Sequence, residues 1–205
     1  MARAFEDLFG VPDAFRRIPM PGRTDSCILA DAAAAHHVPA AGLTRFPDVY
    51  LAHLRNELEA SGPRKGVMPG VRALLDALDE RADVYLALLT GNYEAAARVK
   101  LEYFQLWRYF RCGAFGDAAP DRNRLLPKAL AQIRECGGPE VPASQVVVVG
   151  DTPLDVACAA AHGARSVAVA TGGYDVDALR AAGADVVFDD LSDMEAVLRE
   201  LQLPL

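Results

Sequence analysis

Cysteine is scarce in this chain, and the four present, Cys27, Cys112, Cys136 and Cys158, are widely scattered with no Cys-x-x-Cys or other ligand spacing. That pattern argues against both a disulfide framework and a zinc site. A basic surplus is also lacking: 21 Lys and Arg stand against 28 Asp and Glu, for a net charge of -7 and a pI near 5.1. Binding to a nucleic-acid backbone depends on cations that displace counterions, so nucleic acid is not an expected partner. Long hydrophobic runs are missing as well. The valines at 146–149 make a run far too short to span a bilayer, and the N-terminus lacks the charged-then-apolar order of a signal peptide. No membrane partner is expected, and the protein reads as soluble and cytoplasmic. Long charge runs, internal repeats and low-complexity tracts do not occur. Of the histidines, His36 and His37 close an alanine-rich helix, and His53 and His162 sit singly among apolar neighbours; none is expected to do chemistry.

What is present is globular composition, 52% hydrophobic and 24% charged, in 205 residues, enough for one substantial core or a main domain with a small satellite. Two textures divide the chain. Residues 1–66 read as helices only: 2–9 stopped by Gly10, 25–37, and 46–60 stopped by Gly62 and Pro63. Met1, Phe5, Leu8 and Phe9 follow the spacing of a buried helical face, yet no capping residue precedes them. From Pro69 onward, helices at 71–80, 93–104, 124–135, 153–162, 176–182 and 194–201 alternate with β-branched runs at 84–89, 112–115, 145–149, 166–170 and 185–188. Such alternation, with strands apolar nearly throughout, predicts a three-layer α/β fold, a parallel sheet between helices. Its ligand site should lie beyond the carboxyl ends of the strands.

Two strand ends carry candidate chemistry. The run 146–149 leads into Gly150, Asp151, Thr152, Pro153, Leu154 and Asp155, which sets two carboxylates at a strand tip and in the following helix turn. Oxygen ligands on rigid backbone suit a hard cation; Gly150 permits a close turn and Pro153 suits a first helical position. The competing reading is that Asp151 merely caps the helix. The run ending at Leu89 leads into Thr90, Gly91 and Asn92 before a helix. A hydroxyl and free amides at a helix N-terminus favour phosphate, although Thr-Gly-Asn also serves as an ordinary cap and turn.

Taken together, in order and separation, the two tips resemble motifs II and IV of the haloacid dehalogenase superfamily, most closely its phosphoglycolate-phosphatase and β-phosphoglucomutase-like branch. The likeness extends to Met68, Pro69 and Gly70 before the first tip and to Ala170, Thr171, Gly172 and Gly173 after a later strand. The resemblance implies a Rossmannoid core at 67–205 with a helical cap domain at 1–66. It implies Mg2+-dependent hydrolysis of small phosphomonoesters through an aspartyl-phosphate. Thr90 would hold the transferring phosphoryl group with Gly91 and Asn92, Asp151 would be the direct metal ligand, and Asp155 the outer acid in support. The family's motif III lysine has no exact counterpart. Arg122 is placed best, as a bidentate phosphate clamp, with Lys128 a turn or more into the helix and a solvated helix start as the bland alternative. Arg23, in the cap, is a candidate to reach the substrate or an ordinary surface arginine. These groups are expected to converge on one cleft.

The family's first motif, a strand ending Asp-x-Asp-Gly-Thr that carries the nucleophile, does not occur in the sequence. The nearest string, Asp189 and Asp190 after Phe188, stands where the family has its last strand. Strand, turn and the start of the cap helix need roughly twenty residues, so an N-terminal truncation or late start is expected, together with inactivity as written. In the family that strand lies between those ending at Thr90 and Asp151. Its loss would leave unpaired edges open to pairing with another copy. The rival from another class is a non-catalytic relative that keeps the fold for binding or assembly. A nucleotide-binding oxidoreductase fares poorly, because no Gly-x-Gly-x-x-Gly follows any strand.

Overall fold

The computed structural model describes residues 1–60, 66–117, 119 and 121–202. The first helix, α1 (Ala2–Phe9), turns Ala4 and Phe5 inward and ends where Gly10 takes a left-handed conformation, φ 69°. Helix α2 (Asp25–Ala35) starts at Thr24, whose hydroxyl accepts the Cys27 N–H. Helix α3 (Phe46–Glu59) begins with a proline in its first turn. Phe5 anchors this region, meeting Phe9, Phe15 and Phe46 edge-on at centroid distances of 4.7, 5.5 and 6.3 Å. Burying one such ring contributes roughly 1.5–3 kcal/mol. Tyr93 and Ala96, from the α/β part of the chain, join the same apolar cluster. The expected stop at Gly62 and Pro63 lies outside the described residues.

The alternating part follows as α4 (Val71–Asp79), β1 (Leu88–Leu89), α5 (Glu94–Tyr103), β2 (Gly113–Ala114), α6 (Leu125–Glu135), β3 (Val147–Gly150), α7 (Pro153–Ala160), β4 (Arg165–Val169), α8 (Val176–Ala181), β5 (Val186–Phe188) and α9 (Met194–Glu200). All pairings are parallel: β1 with β2, and β3–β4–β5 in that order. Side chains alternate faces as a strand requires. Ala168 and Val187 pack with Val156 and Leu179 of α7 and α8, whereas Val169 and Phe188 pack with Leu74, Leu78 and Val197 of α4 and α9. Helices therefore cover both faces, and the fold is α/β with parallel sheets. Among the described residues no helix is long and apolar enough to cross a membrane.

The strands form two sheets, not one, and the break falls between β1 and β3. Leu89 and Val148 share an apolar cluster with Leu126 of α6, so these strands are held by a common helix instead of a hydrogen-bond ladder. The break explains two departures from the sequence reading. The run 84–89 pairs only at Leu88 and Leu89, because β2 offers two residues. Val149, the last of the valine run, is 47% exposed, and β3 is an edge strand of its sheet.

Candidate active site

A cleft of about 510 Å³ opens at the carboxyl ends of β1 and β3, and Thr90, Arg122, Asp151 and Asp155 all line it. Parallel strands deliver every βα turn to the same end, which is why residues far apart in sequence meet here.

At the β1 end, the Thr90 N–H is still in the ladder, donating to Ala114 O at 3.0 Å. Its hydroxyl oxygen accepts from Asn92 N at 3.2 Å and Asn92 Nδ2 at 2.9 Å. Asn92 Oδ1 in turn accepts from Lys100 Nζ. The Gly91 carbonyl accepts the Asp25 N–H at 2.6 Å, and the Asp25 carboxylate accepts the Tyr93 N–H at 2.9 Å, beside the start of α5. Burial pushes the Asp25 carboxyl above the ordinary carboxylate value, against the Tyr93 hydrogen bond and the Lys100 charge. Burial likewise lowers the Lys100 ammonium, with Asp25 opposing.

At the β3 end, Thr152 caps α7, and its N–H and hydroxyl donate to Asp155 Oδ2 at 3.0 and 2.8 Å. Asp155 Oδ1 accepts from Arg122 Nη2, so both oxygens of this carboxylate, 4% exposed, have protein partners. The approach is tight: a Cβ on Gly150 would collide with the Asp155 carboxyl group. Asp151 does not cap the helix, since Thr152 takes that position. Its carboxyl is crowded by the cleft walls and repelled by Asp155, which raises its pKa, although the side chain keeps its contact with solvent.

One loop of the helical region joins the two ends. Arg122 Nη1 donates to Gly22 O at 2.9 Å, Asp25 holds Gly91 and Tyr93 as described, and Thr24 Oγ1 donates to Ala119 O at 2.7 Å. Gly22 has φ 75°, and a Cβ there would run into Thr152. Arg122 is nearly buried, 11% exposed, and its Nε has no hydrogen-bond partner among the described residues.

Of the sequence candidates, Thr90, Gly91, Asn92, Arg23, Arg122, Asp151 and Asp155 share this cleft. Lys128 does not; it lines a separate cavity of about 360 Å³ with Trp107 and Cys136. The Arg23 guanidinium is engaged by Asp31 Oδ2 at 2.7 Å and Pro19 O at 3.0 Å. The histidines His36, His53 and His162 bond Ala14 O, Asp7 Oδ2 and Asn123 O. Sequence reasoning missed Lys100 and Asp25. The available signal for Lys100 was a lysine four residues after Ala96 and three after Ala97, on the helix face these buried alanines mark.

Among the described residues no group of three or more His, Cys, Asp or Glu could enclose a metal ion. Asp151 is the carboxylate left open. Magnesium keeps several waters and is commonly held through one or two carboxylates plus substrate phosphates, so this donor set fits such a cation as a partial site.

A family model described as HAD-hydrolase-like matches residues 122–194. A phosphoglycolate phosphatase of Pseudomonas savastanoi pv. phaseolicola is 35% identical over 125 residues, covering 61% of this chain and 44% of that protein. A probable phosphoglycolate phosphatase of Pseudomonas savastanoi is 31% identical over 134 residues, 61% of this chain and 82% of that protein. The crystal structure of a hydrolase from Pseudomonas syringae superposes with a TM-score of 0.70 at 21% identity, covering 97% of this chain and 89% of that one. The chain spans about half the length of most of the curated relatives it matches.

Proposed function

Because the chain belongs to the haloacid-dehalogenase-like hydrolases, with phosphoglycolate phosphatases among its relatives, we propose that its cleft binds and hydrolyses the phosphate group of a small phosphomonoester. The observation that carries this reading is the meeting of Thr90, Arg122 and Asp151 in one cleft at the carboxyl ends of parallel strands. Residues 1–66 act as a cap over a core at 67–205, a division supported by the aromatic cluster around Phe5, which draws mainly on the helical region.

Each residue has a task its surroundings suit. The hydroxyl of Thr90 and the Gly91 amide grip phosphate oxygens ahead of α5, where the helix dipole favours an anion. Arg122 lines the same cleft and brings positive charge to it. Its tie to Asp155 fixes its orientation, and the Thr152 donors fix Asp155. Asp151 would hold a magnesium ion directly and Asp155 through water, and the ion when bound supplies charge neutralisation at the transferring phosphoryl group. Asp155 is hydrogen-bonded at both oxygens and Asp25 accepts the Tyr93 N–H, so neither suits the role of attacking carboxylate.

The second reading, a non-catalytic relative that binds without turnover, draws on one observation: no Asp-x-Asp-Gly-Thr occurs in the sequence. Both are tested by assaying the 205-residue chain with p-nitrophenyl phosphate and magnesium, beside a form lengthened by upstream in-frame codons and an Asp151→Asn control. Loss of a nucleophile costs on the order of a millionfold in kcat, so hydrolysis is expected from the longer form only. Robust hydrolysis by the short form, abolished in the control, would place a nucleophile among its own residues. Inactivity of both lengths favours binding without turnover.

A further inference from the structure

We propose that Lys100 is a positioning residue for the Thr90 hydroxyl, acting through the Asn92 amide, an inference that rests on reading the cleft as a phosphate site. Hydrogen-bond polarity dictates this role. A lysine ammonium has donors only, so it is the oxygen of the Asn92 amide that faces Lys100 Nζ. The nitrogen end must then face Thr90, and Asn92 Nδ2 donates to Thr90 Oγ1 at 2.9 Å while the Asn92 backbone N–H donates to the same oxygen at 3.2 Å. A hydroxyl has two lone pairs and one hydrogen. With both lone pairs occupied from within the turn, the remaining hydrogen is directed to an acceptor in the cleft. Phosphate oxygens are such acceptors. Were Asn92 turned over, its Oδ1 would take the Thr90 hydrogen and a lone pair would face the anion. The orientation of an asparagine amide is otherwise a free choice, and a donor-only partner removes that choice.

Position and charge support the assignment. Lys100 emerges beside the buried Ala96 and Ala97 on the inner face of α5, and it lines the cleft alongside Thr90, Asn92 and Asp25. The Asp25 carboxylate opposes the loss of charge that burial favours at Lys100. Asp25 is itself fixed by Tyr93 N–H at 2.9 Å, so the loop from the helical region helps hold the polarity of the β1 tip.

The test uses inorganic phosphate as the probe. Calorimetric titrations compare the 205-residue chain with Thr90→Val, Lys100→Met and the double variant. Each single substitution is expected to weaken phosphate binding about tenfold, and the double variant to bind no more weakly than Thr90→Val alone, since Lys100 then has nothing to position. Losses that multiply in the double variant would overturn the relay and show Lys100 meeting the anion as a charge. A ligand-free readout is the exchange rate of the Asn92 side-chain amide protons by NMR. Exchange about tenfold faster in Lys100→Met than in the unsubstituted chain, with protection retained in Lys100→Gln, supports the relay; the glutamine keeps a donor without the charge and serves also if the methionine variant fails to fold. Equal exchange in all three overturns the relay and leaves the phosphate reading intact. Absence of phosphate binding by the unsubstituted chain overturns the phosphate reading, and the role given to Lys100 with it.

Discussion

After β1 the chain supplies donor groups to the cleft wall: a threonine hydroxyl, with an asparagine and a lysine behind it. After β3 it supplies carboxylates, one open at Asp151 and one closed at Asp155 by Thr152 and Arg122. The two tips also differ in what their polar groups cost. At the β1 tip the bonds on the Thr90 hydroxyl itself are neutral and worth about 1 kcal/mol each, with the charged groups Lys100 and Asp25 one bond further back. The β3 tip contains a buried ion pair, where the desolvation of two charges makes the loss of one partner far worse than the absence of both. One tip can therefore be altered with the fold intact, and the other carries part of the fold in the same residues that serve the site.

The largest expected effect follows from that difference. Asp155→Ala leaves Arg122 charged and nearly buried beside Gly22 O, and should destabilise the protein by about 3–5 kcal/mol. Thr90→Val should cost about 1 kcal/mol while removing a donor to phosphate. Urea unfolding of the two variants checks this, and equal losses would erase the distinction between the tips.

A smaller effect is expected where the helical region bridges them. Gly22 has a positive φ, and a Cβ would run into Thr152, so Gly22→Ala should cost about 1–3 kcal/mol. Hydrogen exchange should quicken at Thr152 and also at Asp25, whose N–H bonds Gly91 O. A change confined to Thr152 would mean that the loop serves the β3 tip alone.

The smallest effect tests whether carboxylates of the β3–β5 sheet are structural beyond the cleft. Asp185 accepts Ser166 N–H and Oγ–H, both at 2.7 Å, and these bonds, the backbone one first, hold its pKa below the ordinary value. A depressed folded pKa contributes stability that is present above the unfolded value near 4 and is lost as pH falls through the folded value. The side chain is exposed, so Asp185→Asn should cost only about 0.5–1 kcal/mol at neutral pH. The gap should close as pH drops below about 4. A gap that persists in acid would assign the effect to geometry in place of charge.

Much of this protein was legible in the residues alone. The alternation after Pro69, the Gly10 stop, Pro153 at the first position of α7 and the pairing of Thr90 with Asp151 at strand tips follow from periodicity, capping chemistry and the handedness of parallel βα units. These depend on contacts within a few residues, or on rules that hold for any chain with the same pattern. Tertiary structure alone decided which basic residue of 122–128 faces the cleft, because Arg122 is selected by Gly22 O, 100 residues away in the chain, while Lys128 lines a separate cavity. It decided that Asp155 is closed and Asp151 open, that a loop of the helical region holds both tips, and that Lys100 orients Asn92. It also divided the strands into two sheets. The physical reason is common to all of these: a side chain's type sets which bonds it can make, but which partner it meets depends on how distant helices pack, and local sequence carries no record of that.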